Sequence, residues 1–185
     1  MMKKIKLFFL CAILASCAHS KSSSPSKLFD FKTDVCTLFP DHSESDPNQD
    51  WSHCCVAHDI EYWLGGPKKR KEAADQELKS CVVKTGASQA GDLMYTGVNV
   101  GGTPYLQTPW AWAYGWRSKS SYSRFNNRQL QMISHKIDSV FDVINSYKKS
   151  WSPEQFHYVQ KRLRQIKDDL SLSTTHDFDS KDYNE

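Results

Sequence analysis

The spacing of apolar residues predicts two amphipathic helices in the last third of the chain. Apolar residues recur there every three or four positions, which places them on one face of an α-helix. The members of the first run are Leu130, Ile133, Ile137, Val140, Phe141 and Ile144. The members of the second run are Phe156, Val159, Leu163, Ile166 and Leu170. We expect two antiparallel helices packed on the preceding helices; docking of a partner helix is the alternative.

The second of these helices has a clear start signal. Ser152-Pro153-Glu154 combines an N-cap residue, a proline at the first helical position and an acidic first turn. The polar, acidic segment 173–185 that follows the helix is predicted to be disordered.

The middle of the chain predicts three further helices. Gly65-Gly66-Pro67 ends the first of them, which includes residues 51–62. The second runs from residue 68 to about residue 83, and the third covers residues 87–100. The basic run 68–71 is interpreted as the solvated start of a helix, with contact to anionic headgroups as the alternative. The expected fold class is therefore all-α.

A segment rich in tryptophan and tyrosine, residues 104–116, follows the third helix. Its prolines and glycines preclude a regular helical stripe of rings. Tryptophan and tyrosine favour membrane interfaces, so the segment could meet a lipid surface. Packing of the rings over the domain core is the equal alternative.

Residues 1–16 have the features of a signal peptide, with three lysines before an apolar stretch too short to span a bilayer. Leu14-Ala15-Ser16-Cys17 resembles the lipobox of bacterial lipoproteins, which implies acylation of Cys17, for instance with palmitate. An ordinary cleaved signal is the alternative. Ala18 in place of an aspartate favours the outer membrane, facing the periplasm or the cell surface.

The predicted mature chain consists of the acylated cysteine with a serine-rich tether (17–27), one helical domain (28–172) and the tail. The formal net charge of +3 comes from Lys3, Lys4 and Lys6, because no acidic residue precedes Cys17. The mature chain is near neutral, which gives no support for nucleic-acid binding.

Four cysteines remain outside the signal and the anchor: Cys36, Cys54, Cys55 and Cys81. An even number in an exported chain implies disulfides, with three possible connectivities. A bond between the neighbours Cys54 and Cys55 is disfavoured by geometry. A zinc site formed with His58 is the competing interpretation, but the chain has no Cys-x-x-Cys spacing.

The densest group of reactive residues lies between Trp51 and Tyr62. On a helix, Cys55, His58 and Tyr62 follow one stripe, and Asp59 points about 100° away from His58. Cys-Cys-x-x-His-Asp-x-x-Tyr resembles the active-site helix of the calcium-dependent secreted phospholipase A2 superfamily. The resemblance implies that His58 is the general base and that Asp59 binds calcium. His53, beside the cysteines, has no counterpart in the family and is interpreted as a helix-start residue.

The resemblance extends to the second helix. An aspartate six residues before a cysteine orients the histidine in that family, and Asp75 and Cys81 have this spacing. The family pairing implies the disulfides Cys54–Cys81 and Cys36–Cys55, and it implies that Tyr62 supports Asp75. If Cys54 bonds Cys81 in an antiparallel helix pair, rises of about 6 Å and about 9 Å bring His58 and Asp75 to nearly the same level.

The loop between Cys36 and Cys54 departs from the family pattern. The family loop is rich in glycine and presents carbonyl oxygens to calcium, whereas this loop contains no glycine. Calcium requires six to eight oxygens, and Asp59 supplies at most two. Leu38, Pro40 and Asp41 are the nearest candidates for the others; a surface loop without metal is the alternative.

The expected function is calcium-dependent hydrolysis of a glycerophospholipid ester by an envelope-anchored lipoprotein. Its expected partners are a phospholipid membrane surface and the lipid substrate. The alternative is an inactive relative that keeps the helix pair and binds other molecules. A redox or metal-storage protein would require free thiols.

Overall fold

The computed structural model describes residues 27–46, 48–106, 108–117 and 121–176, with side chains described up to Ser171. The predicted signal peptide, Cys17, most of the tether and the end of the tail lie outside these residues. Their roles therefore stay predictions. Among the described residues, no helix combines the length and apolarity that crossing a bilayer requires.

The described part of the chain is all-α, as expected from the sequence. Two isolated β-bridges are its only β-structure, and a short 3-10 helix covers Tyr147–Lys149. The α-helices in chain order are α1 (Ser52–Leu64), α2 (Lys68–Lys84), α3 (Ser88–Gly101), α4 (Asn127–Lys136), α5 (Ser139–Ser146) and α6 (Pro153–His176).

Helix α1 is the centre of the domain. All of its residues are buried except Asp59, which is half-buried. The helix contacts α2 on one side and α6 on the other, and α2 also packs against α3. Burial of a polar side chain costs free energy, so in a helix that is buried on all sides we expect polar residues only where they have a bonding partner or a function. The polar side chains of α1 are therefore the first candidates for a site.

The end of α1 depends on two glycines. Gly65 and Gly66 have φ angles of 75° and 120°, which side chains rarely adopt. A Cβ atom on Gly65 would also lie 2.5 Å from the Cβ of Ala113. The predicted helix end at this position is confirmed.

The tryptophan-rich segment covers the C-terminal end of α1. Trp112 and Trp116 are buried, and their indole N–H groups donate to Gly66 O at 2.9 Å and Leu64 O at 2.7 Å. The amide N–H of Ala113 donates to Tyr62 O at 2.8 Å. These bonds satisfy carbonyl groups that have no partner within the helix. For these two tryptophans, the structure supports the interpretation as part of the core.

Helix α6 packs against α1, and α4 and α5 pack against α6. The C-terminal region departs from the prediction in two places. The apolar run 130–144 forms two helices instead of one, because the bonds Val140 N to Ile137 O and Phe141 N to Asp138 O span only three residues. The apolar spacing continues through this break, so the sequence pattern did not reveal it. Helix α6 begins at Pro153 as predicted. It continues through residues 173–176, which were expected to belong to the disordered tail.

Candidate active site

Two disulfides hold α1 in place. Cys54–Cys81 joins α1 to α2, with 5.7 Å between the Cα atoms. Cys36–Cys55 joins α1 to the segment that precedes it, with 5.2 Å between the Cα atoms. This is the pairing that the family resemblance implied. All four cysteines are used, so neither the zinc interpretation nor the free-thiol interpretation has a thiol available here.

The first disulfide brings His58 of α1 and Asp75 of α2 together. His58 Nε2 lies 3.0 Å from Asp75 Oδ1, and both side chains are buried. A carboxylate accepts, so Nε2 carries the proton in the neutral ring. The other nitrogen, Nδ1, is then the acceptor. This tautomer is the one that a general base needs.

Tyr62 completes the pair from α1. Its hydroxyl donates to Asp75 Oδ1 at 2.7 Å, and its ring lies 4.1 Å from the imidazole of His58 between centroids. Burial, and then the charge of Asp75, raise the pKa of Tyr62 far above its usual value. The hydroxyl therefore remains a donor to Asp75 at any physiological pH.

Lys71 is a member of this network that the sequence interpretation missed. The basic run 68–71 was expected to be solvated, but only Lys68 and Lys69 are exposed. Lys71 is buried and its Nζ donates to Asp75 Oδ2 at 2.6 Å. Arg70 turns toward α1 and pairs with Glu61 at 2.7 Å. The Lys71–Asp75 spacing of four residues was visible in the sequence, but it usually marks a surface pair.

The donors around Asp75 stabilise its charged form. Burial by itself would raise the pKa of Asp75, but the hydrogen bond and charge of His58 oppose this effect. The hydrogen bonds from Lys71 and Tyr62 also lower it, so the pKa of Asp75 lies below its usual value. Asp75 is consequently an ionised acceptor for His58.

His58 and Tyr62 form part of the wall of a cavity of about 360 Å³. Most of the lining is apolar and comes from residues 35–39, from α1 and from α3, with Leu78 of α2 and Trp110 of the tryptophan-rich segment. Leu38 and Leu93 also line the cavity, and they are 85% and 62% exposed. The site therefore combines a buried proton acceptor with an apolar chamber and an apolar rim.

Asp59 lies between this cavity and a second one of about 290 Å³. Its Oδ2 accepts a hydrogen bond from the Thr33 hydroxyl at 2.6 Å. Burial raises the pKa of Asp59 to about 8; the Thr33 bond opposes this shift and the charge of Asp34 adds to it. A carboxylate in such surroundings is favoured in its charged form by a nearby cation.

The structure brings Leu38, but not Pro40 or Asp41, to Asp59. Leu38 lines the same cavity as Asp59. The carbonyl of Pro40 accepts from Trp51 Nε1 at 2.6 Å, and a carboxylate oxygen of Asp41 accepts from Cys36 N at 3.1 Å. Both candidates thus have other partners, and neither lines the two cavities beside Asp59.

The segment around Cys36 has an unusual backbone. Val35 and Leu38 have φ angles of 70° and 59° although neither is glycine. Such angles are strained, most of all for a β-branched residue, and strain of this kind clusters at ligand sites. The segment thus adopts left-handed backbone angles at two positions without glycine.

His53, at the start of α1, has different neighbours. Its Nε2 lies 3.4 Å from Cys54 Sγ and 3.6 Å from Cys81 Sγ, and Nδ1 is buried without a hydrogen-bond partner. Within the described residues, these three side chains form the only close His/Cys/Asp/Glu group of three. The two sulfurs bond each other, so the group offers no thiolate to a metal.

Comparison of the chain with protein-family models, curated proteins and solved structures finds no match. The class of protein defined here is therefore a helical, disulfide-linked domain with a buried His-Asp pair at an apolar cavity. Its resemblance to the phospholipase A2 superfamily rests on the motif residues of α1 and α2 alone.

Proposed function

We propose that this protein is a phospholipase A2-like hydrolase that cleaves an ester bond of a glycerophospholipid. The observation that carries the proposal is the buried His58–Asp75 pair, with Tyr62, at the wall of an apolar cavity. Apolar residues could fill the same space with a smaller desolvation penalty, so packing does not explain these polar side chains.

The proposed chemistry is general base catalysis. His58 Nδ1 takes a proton from a water molecule in the cavity as the water oxygen attacks the ester carbonyl. The ring then carries a positive charge, which the carboxylate of Asp75 stabilises through Nε2. As the tetrahedral intermediate collapses, the ester C–O bond breaks and Nδ1 returns its proton to the departing glycerol oxygen, which releases the fatty acid and the lysophospholipid. Tyr62 and Lys71 keep the Asp75 carboxylate charged and in place.

The lipid part of the proposal is supported by the shape and polarity of the cavity. An acyl chain is apolar throughout its length, and the chamber lined by Leu78, Met94 and Val98 matches that property. The exposed apolar side chains at its mouth, Leu38 and Leu93, would be costly in water and favourable against a lipid surface. The predicted acyl anchor at Cys17 would hold the domain at such a surface.

Calcium is the proposed cofactor. Asp59 would hold it together with carbonyl oxygens of the strained turn 35–38, and Asp34 adds negative charge nearby. Calcium bound there would polarise the ester carbonyl and stabilise negative charge on its oxygen. The Cys36–Cys55 disulfide holds this turn against α1.

The substitution Asp59→Asn tests both parts of the proposal. Fatty-acid release from mixed phospholipid vesicles is measured with calcium and with a chelator. Wild type should be active only with calcium, and the variant should lose at least about 100-fold, as when an electrostatic group of an active site is removed. Melting curves should show calcium stabilising the wild type by about 2.7 kcal/mol at 100 times its Kd, and not the variant.

Asp92→Asn is the matched control, because Asp92 is exposed and, within the described part of the chain, its carboxylate forms an ion pair with Lys79 alone. It should keep both activity and calcium response. Absence of hydrolysis and of a calcium response in the wild type would contradict the proposal. That result would favour the alternative, an inactive relative with a binding role.

A further inference from the structure

We propose that Lys71 is a positioning residue that acts on His58 through Asp75. The inference rests on the proposed function, because it concerns the base of that reaction. Lys71, in the first turn of α2, thus has a role in the site in addition to its place in the helix. The buried ammonium group keeps the carboxylate charged and turned toward the imidazole.

The contacts of Lys71 are those of an ordered component of the site. The residue is 3% exposed, which is rare for a lysine. Its Nζ donates to Asp75 Oδ2 at 2.6 Å and to the carbonyl oxygen of Val98 at 3.1 Å. It also lies 5.4 Å from the ring centroid of Tyr62, within the range of a cation–π contact.

The two oxygens of Asp75 have separate donors. Oδ1 accepts from His58 and Tyr62, whereas Oδ2 accepts from Lys71. Removal of Lys71 would leave one oxygen of a buried carboxylate without its cation. Such a carboxylate favours a protonated form or a different orientation. Either change weakens the acceptor that selects the Nε2-protonated tautomer of His58.

Lys71 also connects the His58–Asp75 pair to the wall of the cavity. Val98 belongs to α3 and lines the cavity, and its carbonyl accepts from Lys71 and, at 3.4 Å, from Tyr62. The packing is tight at this point, since a Cβ atom on Gly102 would lie 2.4 Å from the Tyr62 hydroxyl. The position of α3 is therefore coupled to the orientation of Asp75.

The first experiment compares Lys71→Met with Lys79→Met. Lys79 is a close match, because it also lies on α2, bonds a carboxylate at 2.6 Å and lies 5.5 Å from a tyrosine ring. It differs in being partly exposed and in pairing with Asp92 on α3. Lys71→Met should lower kcat by about 10- to 100-fold with KM changed less than about twofold, as expected when only transition-state stabilisation is lost. Lys79→Met should leave both constants unchanged.

The second experiment places Lys71→Met in an Asp75→Asn background. This double variant contains no unpaired buried charge, whereas each single variant leaves one. Its kcat is compared with that of Asp75→Asn, in which Lys71 keeps its bond to the Val98 carbonyl, after melting curves have shown that both proteins are folded. Because Lys71 acts through Asp75, the second substitution should lower kcat by less than about twofold. A further loss greater than about twofold would show that Lys71 acts independently and would overturn the inference.

A third measurement does not depend on hydrolysis. Nitrogen NMR of the His58 ring reports which nitrogen carries the proton. The wild type should show the Nε2-protonated tautomer, and Lys71→Met should lose this single form. An unchanged ring spectrum in a folded Lys71→Met protein would overturn the positioning role. Absence of fatty-acid release from the wild type would instead count against the proposed function alone.

Discussion

His53 and His58 lie five residues apart on α1 and are equally buried, at 8% exposure each, yet their surroundings are opposite. His58 meets a carboxylate supported by two further donors. His53 meets the sulfurs of a disulfide and the edge of the Tyr158 ring, 5.6 Å away between centroids. Burial by itself therefore does not make a histidine reactive; the partner of the ring decides its chemistry.

The difference also appears in the charge that each ring can carry. Burial lowers the pKa of His53 to about 4, and the charge of Asp50 opposes this only in part. His53 thus behaves as a neutral aromatic side chain in the core. His58, beside ionised Asp75, has a partner that can stabilise a positive ring during a reaction.

The largest expected effect separates the two histidines by activity. His58→Gln should lower fatty-acid release by about 10²- to 10⁴-fold, the usual contribution of a general base. His53→Gln should change it by less than about threefold, because His53 does not line the cavity. Vesicle hydrolysis under identical conditions measures both. Equal losses in the two variants would mean that the His58–Asp75 pair is structural.

The next effect separates the two disulfides. Their loops span 19 and 27 residues, so replacing either pair with alanine should cost about 3 kcal/mol of unfolding free energy. Urea unfolding measures this loss. Replacement of Cys36 and Cys55 should also weaken calcium binding, because their disulfide holds the turn 35–38 beside Asp59.

Calorimetric titration measures the calcium affinity of the two variants that each lack one disulfide. The protein without Cys54–Cys81 should keep its calcium affinity within a few fold wherever it remains folded. Equal losses of affinity in both variants would show that the turn depends on the whole fold and not on its own disulfide.

The smallest effect concerns pH. The pKa of His53 is about 4 in the folded state against 6.5 ordinarily, so between these values the unfolded chain binds more protons. The stability contributed by a neutral His53 is complete above pH 6.5 and is lost as pH falls toward 4. From pH 7 to pH 5 the loss is about 2 kcal/mol.

His53→Gln removes this proton uptake. The difference in unfolding free energy between wild type and variant should therefore change by about 2 kcal/mol over the same range, in the direction that favours the variant at low pH. Parallel stability curves for the two proteins would contradict the lowered pKa.

The residues of α1 could be predicted because a helix converts sequence spacing directly into position on a face. The shared face of Cys55, His58 and Tyr62 followed from this rule, whereas their roles were implied by the family resemblance. Asp75 needed one more step, the register of two antiparallel helices at a disulfide. Pro40 and Asp41 illustrate the limit, because a loop has no fixed period and its donors and acceptors were assigned only by the fold.

Lys71 and the tryptophan segment show what the sequence alone left open. The Lys71–Asp75 spacing fits an exposed ion pair as well as a buried one. In the fold, Lys71 is buried against the Tyr62 ring and the Val98 carbonyl of α3. Trp112 and Trp116 could have faced a membrane, but the free carbonyls at the end of α1 bind their N–H groups.

The sequence by itself indicated the all-α class, the end of α1 and the start of α6, since these depend on local periods and backbone preferences. The α1 and α2 residues that face one another followed from the family resemblance together with helix geometry. The tertiary structure decided which charged side chains are buried, which loop atoms reach Asp59 and where the C-terminal run breaks. The physical reason is that burial, and with it the strength of every charge, depends on contacts between segments far apart in the chain.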